Sequence, residues 1–435
     1  MRRILVIVML CSVLSSCEKV IRPGDGIPPG PPADGALVSD WVALHLRLIR
    51  NTRGVQHIVY GRHFAYTGIA LYEAVAPAST PYRSLAGRLN GLTSLPAAPD
   101  GKKLHAEASA NAALAQMMRS FYGSNPAHVA LIDSLETALR QSFRPVGNAD
   151  RQAESAAYGK EVAEAVVAWA NTDGSDQADA PYTPPPGPGL WQPTPPALAK
   201  PSLPHWGNNR PIVASSGQGA TLPAPVVYST EPGSPFYAMV NQVYQTAKQL
   251  TPEQRAVALF WDDAPNGKYV SAFGHWISVL AQVTRARKYS LAETAEAYAT
   301  TAIAMHEAII AAWKLKYTHN LVRPVTYIQQ HMEGGWLPVI VTPAHPEYPA
   351  AHATLSAAAA YALTQTLGSN VSFTDRTYED IGLAPRTFPN FEAAGGEAGI
   401  SRLYGGIHYA PSIDAGASVG KKVAQNVSNA FNSGQ

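Results

Sequence analysis

At 435 residues, 46% of them hydrophobic and only 15% charged, the chain is long enough to bury a substantial core. Its 33 basic and 31 acidic side chains leave a formal net charge of +2, which excludes the strong one-sign field of a nucleic-acid or anionic-membrane binder. Its two cysteines, Cys11 and Cys17, both sit near the start, so the rest of the sequence can form no disulfide and must rely on core burial.

In chain order, Met1-Arg2-Arg3 leads into an apolar run over residues 4–14 and then Leu14-Ser15-Ser16-Cys17. A basic start, a short apolar segment and small residues before a cleavage point make a secretory signal. The run is too short to span a bilayer. The cysteine at that point resembles a bacterial lipobox, so residues 1–17 are expected to be a lipoprotein signal peptide with Cys17 lipidated. The protein would then be exported and membrane-anchored at the cell envelope, on its periplasmic or surface side. Residues 18–37 are rich in proline and glycine and read as a tether. Residues 38–435 read as one helical domain.

From Asp40, a candidate N-cap, Trp41, Leu44, Leu48 and Ile49 recur at helical spacing. Further helices are expected at about 61–76, 102–121, 126–143 and 149–171. The proline-rich stretch 181–204 can be neither helix nor central strand; Trp191, Leu203 and Trp206 mark it as an ordered crossover packed on the surface. A helix over about 235–249 follows. Thr251-Pro252-Glu253-Gln254 and Ser290-Leu291-Ala292-Glu293 read as helix starts with capping boxes. The second opens a long helix through residue 316 that must stop before Arg323-Pro324. Alternating apolar and polar residues are scarce, so the fold class expected is all-α.

The chemistry is concentrated late in the chain. Lys316-Tyr-Thr-His-Asn-Leu-Val-Arg323-Pro324, Pro349-Ala350-Ala351-His352 and Ser401-Arg402-Leu-Tyr-Gly-Gly-Ile-His408 supply three cations and two histidines. Arginine offers a planar fork of donors that matches a tetrahedral oxyanion, and lysine adds a point charge. One histidine can bond the central atom while the other exchanges protons. His352 precedes an Ala-rich helix ending near Gly368, so residues 350–352 stand at a helix N-terminus, where free N–H groups favour an anion. His319, His331 and His345 read as surface histidines.

Order and spacing resemble those of the vanadium-dependent haloperoxidases and the type-2 phosphatidic acid phosphatases that share their site: Lys, six residues, Arg-Pro; Pro-Ser-Gly-His; Ser-Arg, five residues, His. The first and third blocks fit in full. The middle one fits at Pro349 and His352 only, with Ala350 and Ala351 in place of Ser and Gly. Loss of the serine hydroxyl removes one hydrogen bond to the anion, worth about 0.5–1.5 kcal/mol.

The resemblance implies helical bundles of the haloperoxidase and acid phosphatase type, with an oxyanion site within residues 316–414. It implies His408 bonded to the vanadium of vanadate, His352 as general acid or base, and Lys316, Arg323, Ala350, Ala351 and Arg402 around the oxygens. Ser401, Asp262, Asp263, His275 and Asp414 are candidates for a supporting shell. Asp414 would orient His408, Asp262 and Asp263 would partner Arg402 or Arg323, and His275 would line the entrance. The reaction implied is oxidation of a halide by hydrogen peroxide. The same cage would serve an acid phosphatase working through a phosphohistidine on a phosphomonoester, with phosphate as the substrate-like anion. A third reading is a surface lipoprotein that keeps the fold without activity. No nucleic-acid partner is expected, and the sequence leaves a homodimer open.

Overall fold

The computed structural model describes residues 34–99, 104–143 and 149–432. Cys17 and the expected signal peptide lie outside them. Thirteen α-helices run through the described residues: α1 (Ala36–Asn51), α2 (Val59–Val75), α3 (Ala106–Tyr122), α4 (Pro126–Ser142), α5 (Ala149–Ala170), α6 (Pro235–Lys248), α7 (Pro252–Phe260), α8 (Ser271–Arg287), α9 (Leu291–His319), α10 (Pro324–His331), α11 (Ala351–Leu367), α12 (Phe391–Tyr404) and α13 (Ala410–Asn432). A single antiparallel pair, β1 (Phe373–Asp375) and β2 (Arg386–Phe388), sets Phe373 opposite Phe388. The all-α expectation holds. No helix among the described residues is long and apolar enough to cross a membrane.

Both capping boxes form. The Thr251 and Ser290 hydroxyls accept from the backbone N–H groups of Gln254 and Glu293, whose side chains reach back to the cap residues. The first helix begins earlier than its periodicity predicts. Its cap is Gly35, and Asp40 lies inside the helix. Packing sets that start: a Cβ on Gly35 would stand 2.7 Å from the Tyr289 carbonyl oxygen, so the chain lies flat against the turn before α9. The proline-rich crossover carries no regular element, and Trp191, Leu203 and Trp206 are buried as its anchors. It is pinned at the end of α9 by a hydrogen bond from the Trp191 N–H to the Asn320 carbonyl at 2.6 Å.

Helices α1–α5 pack among themselves and meet the later helices where α2 lies on α9 and α1 on α8. In the second group α11 is central, touching α8, α9, α12 and α13. Small residues permit this. A Cβ on Gly416 would stand 2.5 Å from the Ala350 carbonyl oxygen, and one on Gly420 1.9 Å from that of Thr354. The backbone of α13 therefore lies directly on the first turns of α11, and this fixes where the N-terminus of α11 points.

Gly420→Ala tests that seat. The added methyl has no free space, and overpacking of a tight core costs about 1–3 kcal/mol. The melting temperature is expected to fall, whereas the same substitution at Gly396, whose Cβ would meet no atom within 4 Å, is expected not to lower it.

Candidate functional site

Lys316 leaves the last turn of α9, and Arg323 caps α10 ahead of Pro324, which suits the first position of a helix. Both side chains are fully buried. Lys316 Nζ donates to the carbonyls of Pro346 (2.8 Å) and Glu347 (3.0 Å), leaving its third proton available. Arg323 Nε donates to the His345 carbonyl at 2.9 Å, Nη1 to the Ile407 carbonyl at 2.9 Å, and Nη2 to His345 Nδ1 at 3.0 Å. Burial lowers the pKa of Arg323 to about 10, so it stays charged at neutral pH. Burial, with Arg323 nearby, pushes Lys316 well below its usual range.

His408 follows the tight Gly405-Gly406 turn, where Gly406 adopts φ +76 under Trp336 and Pro338. Its Nε2 lies 3.1 Å from Arg323 Nη1. An arginine can only donate, so Nε2 carries the lone pair and Nδ1 the proton. Nδ1 donates to Glu347 Oε1 at 2.8 Å. Burial and the cations Arg323, Lys316 and Arg402 hold the imidazole pKa well below its usual value. Nε2, which accepts from Arg323, is thus unprotonated and surrounded by positive charge. Glu347 is fully buried and also accepts from the Tyr409 N–H and the Ser412 hydroxyl. It takes the orienting role the sequence assigned to Asp414. Asp414 lies on the outward face of α13 and is exposed.

On the other side, Arg402 donates Nη1 to the Trp261 carbonyl while its buried Nε has no partner. His352, in the first turn of α11, donates Nε2 to Asp263 Oδ2 at 2.8 Å. That leaves Nδ1 with a lone pair. Burial and then Arg402 lower its pKa to about 4. Asp263 therefore partners His352 and not an arginine. Arg402 feels the charge of Asp262 first and of Asp263 after it. His275 does not line an entrance: it is fully buried, with Asp263 and Asp375 on its two ring nitrogens. The Ser401 hydroxyl turns back onto the Ala398 carbonyl and away from the site. The Ala350 N–H is taken by the Ser412 carbonyl at 2.9 Å, so the open helix-end donors are those of Ala351 and His352. His345, expected at the surface, is buried against Arg323, with Trp313 over its ring at 4.7 Å.

A cavity of about 420 Å³ lies against the Arg402 and His352 side of this cluster, and Lys316, Arg323 and His408 are not on its wall. His345, Ala351, His352 and Arg402 lie along its wall beside Phe273, Ile309, Trp313 and Leu355, and His57 and Gln56 stand at it as well. The sequence reading misses His57, which comes from the distant loop before α2, and Glu347, which stands two residues before Pro349 of the middle block, and it places His345, four residues before Pro349, at the surface. Among the described residues no three His, Cys, Asp or Glu side chains are placed to hold a bare metal ion. The groups left over suit a tetrahedral oxyanion instead: the orphaned Arg402 Nε–H, the third Lys316 proton and the first N–H groups of α11 can donate to its oxygens, and the unprotonated Nε2 of His408, which here accepts from Arg323, can offer an electron pair to its central atom. The two buried arginines are matched to an anion, and a bound anion would favour the ammonium form of Lys316 against the burial that opposes it.

Inorganic phosphate is expected to raise the melting temperature, since ligand at 100 times its Kd adds about 2.7 kcal/mol of stability. Arg402→Ala is expected to abolish the shift. A variant that keeps the full shift would place the anion elsewhere.

The chain is similar to known proteins over most of its length. The family model for the second helical-bundle domain of VCPO matches residues 296–335 and 329–434. No match is found among curated proteins. The solved structure of a bacterial vanadium-dependent iodoperoxidase superposes with a TM-score of 0.84 at 34% identity, over 92% of this chain and 97% of that one. A bacterial vanadium-dependent chloroperoxidase matches in its holo form (TM-score 0.64, 17% identity, 87% of this chain and 92% of that one). Its apo form matches likewise (0.66, 17%, 88% and 98%). The chloroperoxidases show the shared fold, whereas the iodoperoxidase is alike in sequence over nearly the whole length of both chains. On that likeness, the chain belongs to the vanadium-dependent haloperoxidase family.

Proposed function

We propose that this protein is a haloperoxidase that carries vanadate on His408 and oxidises a halide, iodide first among them, with hydrogen peroxide. The observation that carries this reading is the unprotonated, cation-surrounded Nε2 of His408, held in one tautomer by Glu347. The iodoperoxidase, 34% identical, supports iodide as the halide to test first. When bound, vanadate supplies the electrophilic centre at which hydrogen peroxide is activated for oxygen transfer.

The chain's own residues do the rest. Lys316, Arg323 and Arg402 offset the charge of the oxygens without reorganising, because backbone carbonyls already hold them. The N–H groups of Ala351 and His352 add two neutral donors. His352 Nδ1 takes up the proton that hydrogen peroxide gives up and returns it to the departing oxygen. The apolar wall formed by Phe273, Trp313 and Leu355 limits water beside the reacting atoms.

The roles of the two histidines separate by substitution. His408→Ala is expected to lose vanadate retention. His352→Ala is expected to keep vanadate and lose about 10²–10⁴-fold in iodide oxidation, the usual worth of general acid–base catalysis. Equal loss of binding in both would refute the division. In the vanadate-free protein His352 is neutral above about pH 4, and a bound anion raises that pKa because it favours the imidazolium. The rate is therefore expected to fall on the acid side, at a pH above 4. Phosphomonoester hydrolysis by the vanadate-free protein, with no iodide oxidation by the loaded one, would replace this reading by the phosphatase one.

We also propose that the protein is an exported, lipid-anchored member of its family. The support is the sequence of residues 1–17, with its basic start, apolar run and Ser-Ser-Cys17. Metabolic labelling with a radiolabelled fatty acid is expected to mark the wild type and not Cys17→Ser. Equal labelling of the two would end the proposal.

A further inference from the structure

Behind His352 lies a chain of buried groups that the anion cage does not require. Asp263 follows α7 in a left-handed conformation, φ +57. Its Oδ2 accepts from His352, and its Oδ1 accepts from His275 Nδ1 at 2.7 Å and from the Tyr378 hydroxyl at 2.6 Å. His275, on α8, reaches Asp375 Oδ2 of β1 with its other nitrogen at 2.7 Å. Asp375 is closed off by the N–H (2.9 Å) and hydroxyl (2.6 Å) of Thr377. Trp261 stacks on the His275 ring at 4.4 Å. His275, Asp263 and Asp375 are all buried.

A ring with a carboxylate on each nitrogen must donate from both, so His275 is an imidazolium. It shares its charge between two carboxylates. That matters for His352. A buried aspartate with no other counterion would hold a proton on the imidazole facing it, as carboxylates do for histidines they touch. Here Asp263 is already neutralised from behind. It can fix the ring of His352 by accepting Nε2–H without drawing a second proton onto Nδ1.

We propose that His275, locked between Asp263 and Asp375, is a positioning residue that keeps His352 neutral and its Nδ1 open toward the cavity. The inference rests on reading His352 as the proton-transfer group. The charged and titratable groups facing His352 are Asp263, Arg402 on α12, His57 ahead of α2, and His275 itself. Those facing His275 are Asp263, Asp375, Tyr378 and His352. Asp262 lies beside Arg402, and Tyr269 beside Asp262 and Asp263. The electrostatics agree with the geometry. Burial works against charge on His275, yet Asp263 and Asp375 raise its pKa to about 10. His275 is also among the groups that lower His352.

The test is imidazole NMR on the vanadate-free protein. In the wild type, both ring nitrogens of His275 are expected to carry protons at pH 7, and His352 to be neutral there. In His275→Gln the pKa of His352 is expected to rise by roughly one unit or more. In Tyr378→Phe, which removes a hydrogen bond to Asp263 but no charge, the rise is expected to be less than half as large. A singly protonated His275 in the wild type would overturn the proposal without any variant. So would equal shifts in the two variants, or a fall in melting temperature with no shift in His352. None of these readouts depends on halide oxidation. Failure of the haloperoxidase reading would appear in the vanadate and iodide assays, and failure of this proposal in the NMR titration.

Discussion

The site is built on Lys316, Arg323 and Arg402, three buried basic side chains that lie close enough to feel one another, with the carboxylates of Glu347 and Asp262 nearby and, among the described residues, no salt bridge to any of the three. Burying like charges is costly, and the cost is tolerated only where each is held by groups that cannot move away. Backbone carbonyls do the holding here. Residues 345–347 offer three of them, to Lys316 and Arg323, while Ile407 and Trp261 serve Arg323 and Arg402. Long helices bring these pieces together: α9 delivers the lysine, α12 the arginine of the third block, and α11 and α13 set the ends. An oxyanion completes the charge balance that the protein leaves open.

The two histidines are made different by which nitrogen is tied. Each is backed by a buried carboxylate, Glu347 for His408 and Asp263 for His352. The first is held at Nδ1 and exposes Nε2 to the cations; the second is held at Nε2 and exposes Nδ1 beside the cavity. Such a backing fixes the tautomer and orients the ring, as in metal sites where the second nitrogen is hydrogen-bonded. Two identical side chains thereby acquire separate tasks.

Much of this is legible in the sequence. The spacing of Lys316, Arg323, Arg402 and His408 and the position of His352 single out the candidate residues, because they match the motif of the family that the sequence resembles. Capping residues at Thr251 and Ser290 place two helix starts to the residue. What escapes is whatever depends on packing between distant segments. Asp414 stands at a plausible spacing after His408, yet the first turn of α13 carries it outward while Glu347 arrives from a turn 61 residues before His408. His345 looks like a surface histidine by composition and is buried by its bond to Arg323. The network of His275 joins α8, β1 and the loop after α7, and no local pattern links those segments. The start of α1 is set by contact with Tyr289 and not by its own residues.

One residue spans both halves of the cage. The backbone carbonyl of Ser412 receives the Ala350 N–H at the mouth of α11, and its hydroxyl is bonded to Glu347, which in turn steers His408. The helix-end donors and the imidazole nitrogen are therefore spaced by a single rigid strut at the start of α13. A strut of this kind works as a gauge. Through its two hydrogen bonds it ties the spacing of the helix end to the orientation of the imidazole, so a change at Ser412 would reach both at once.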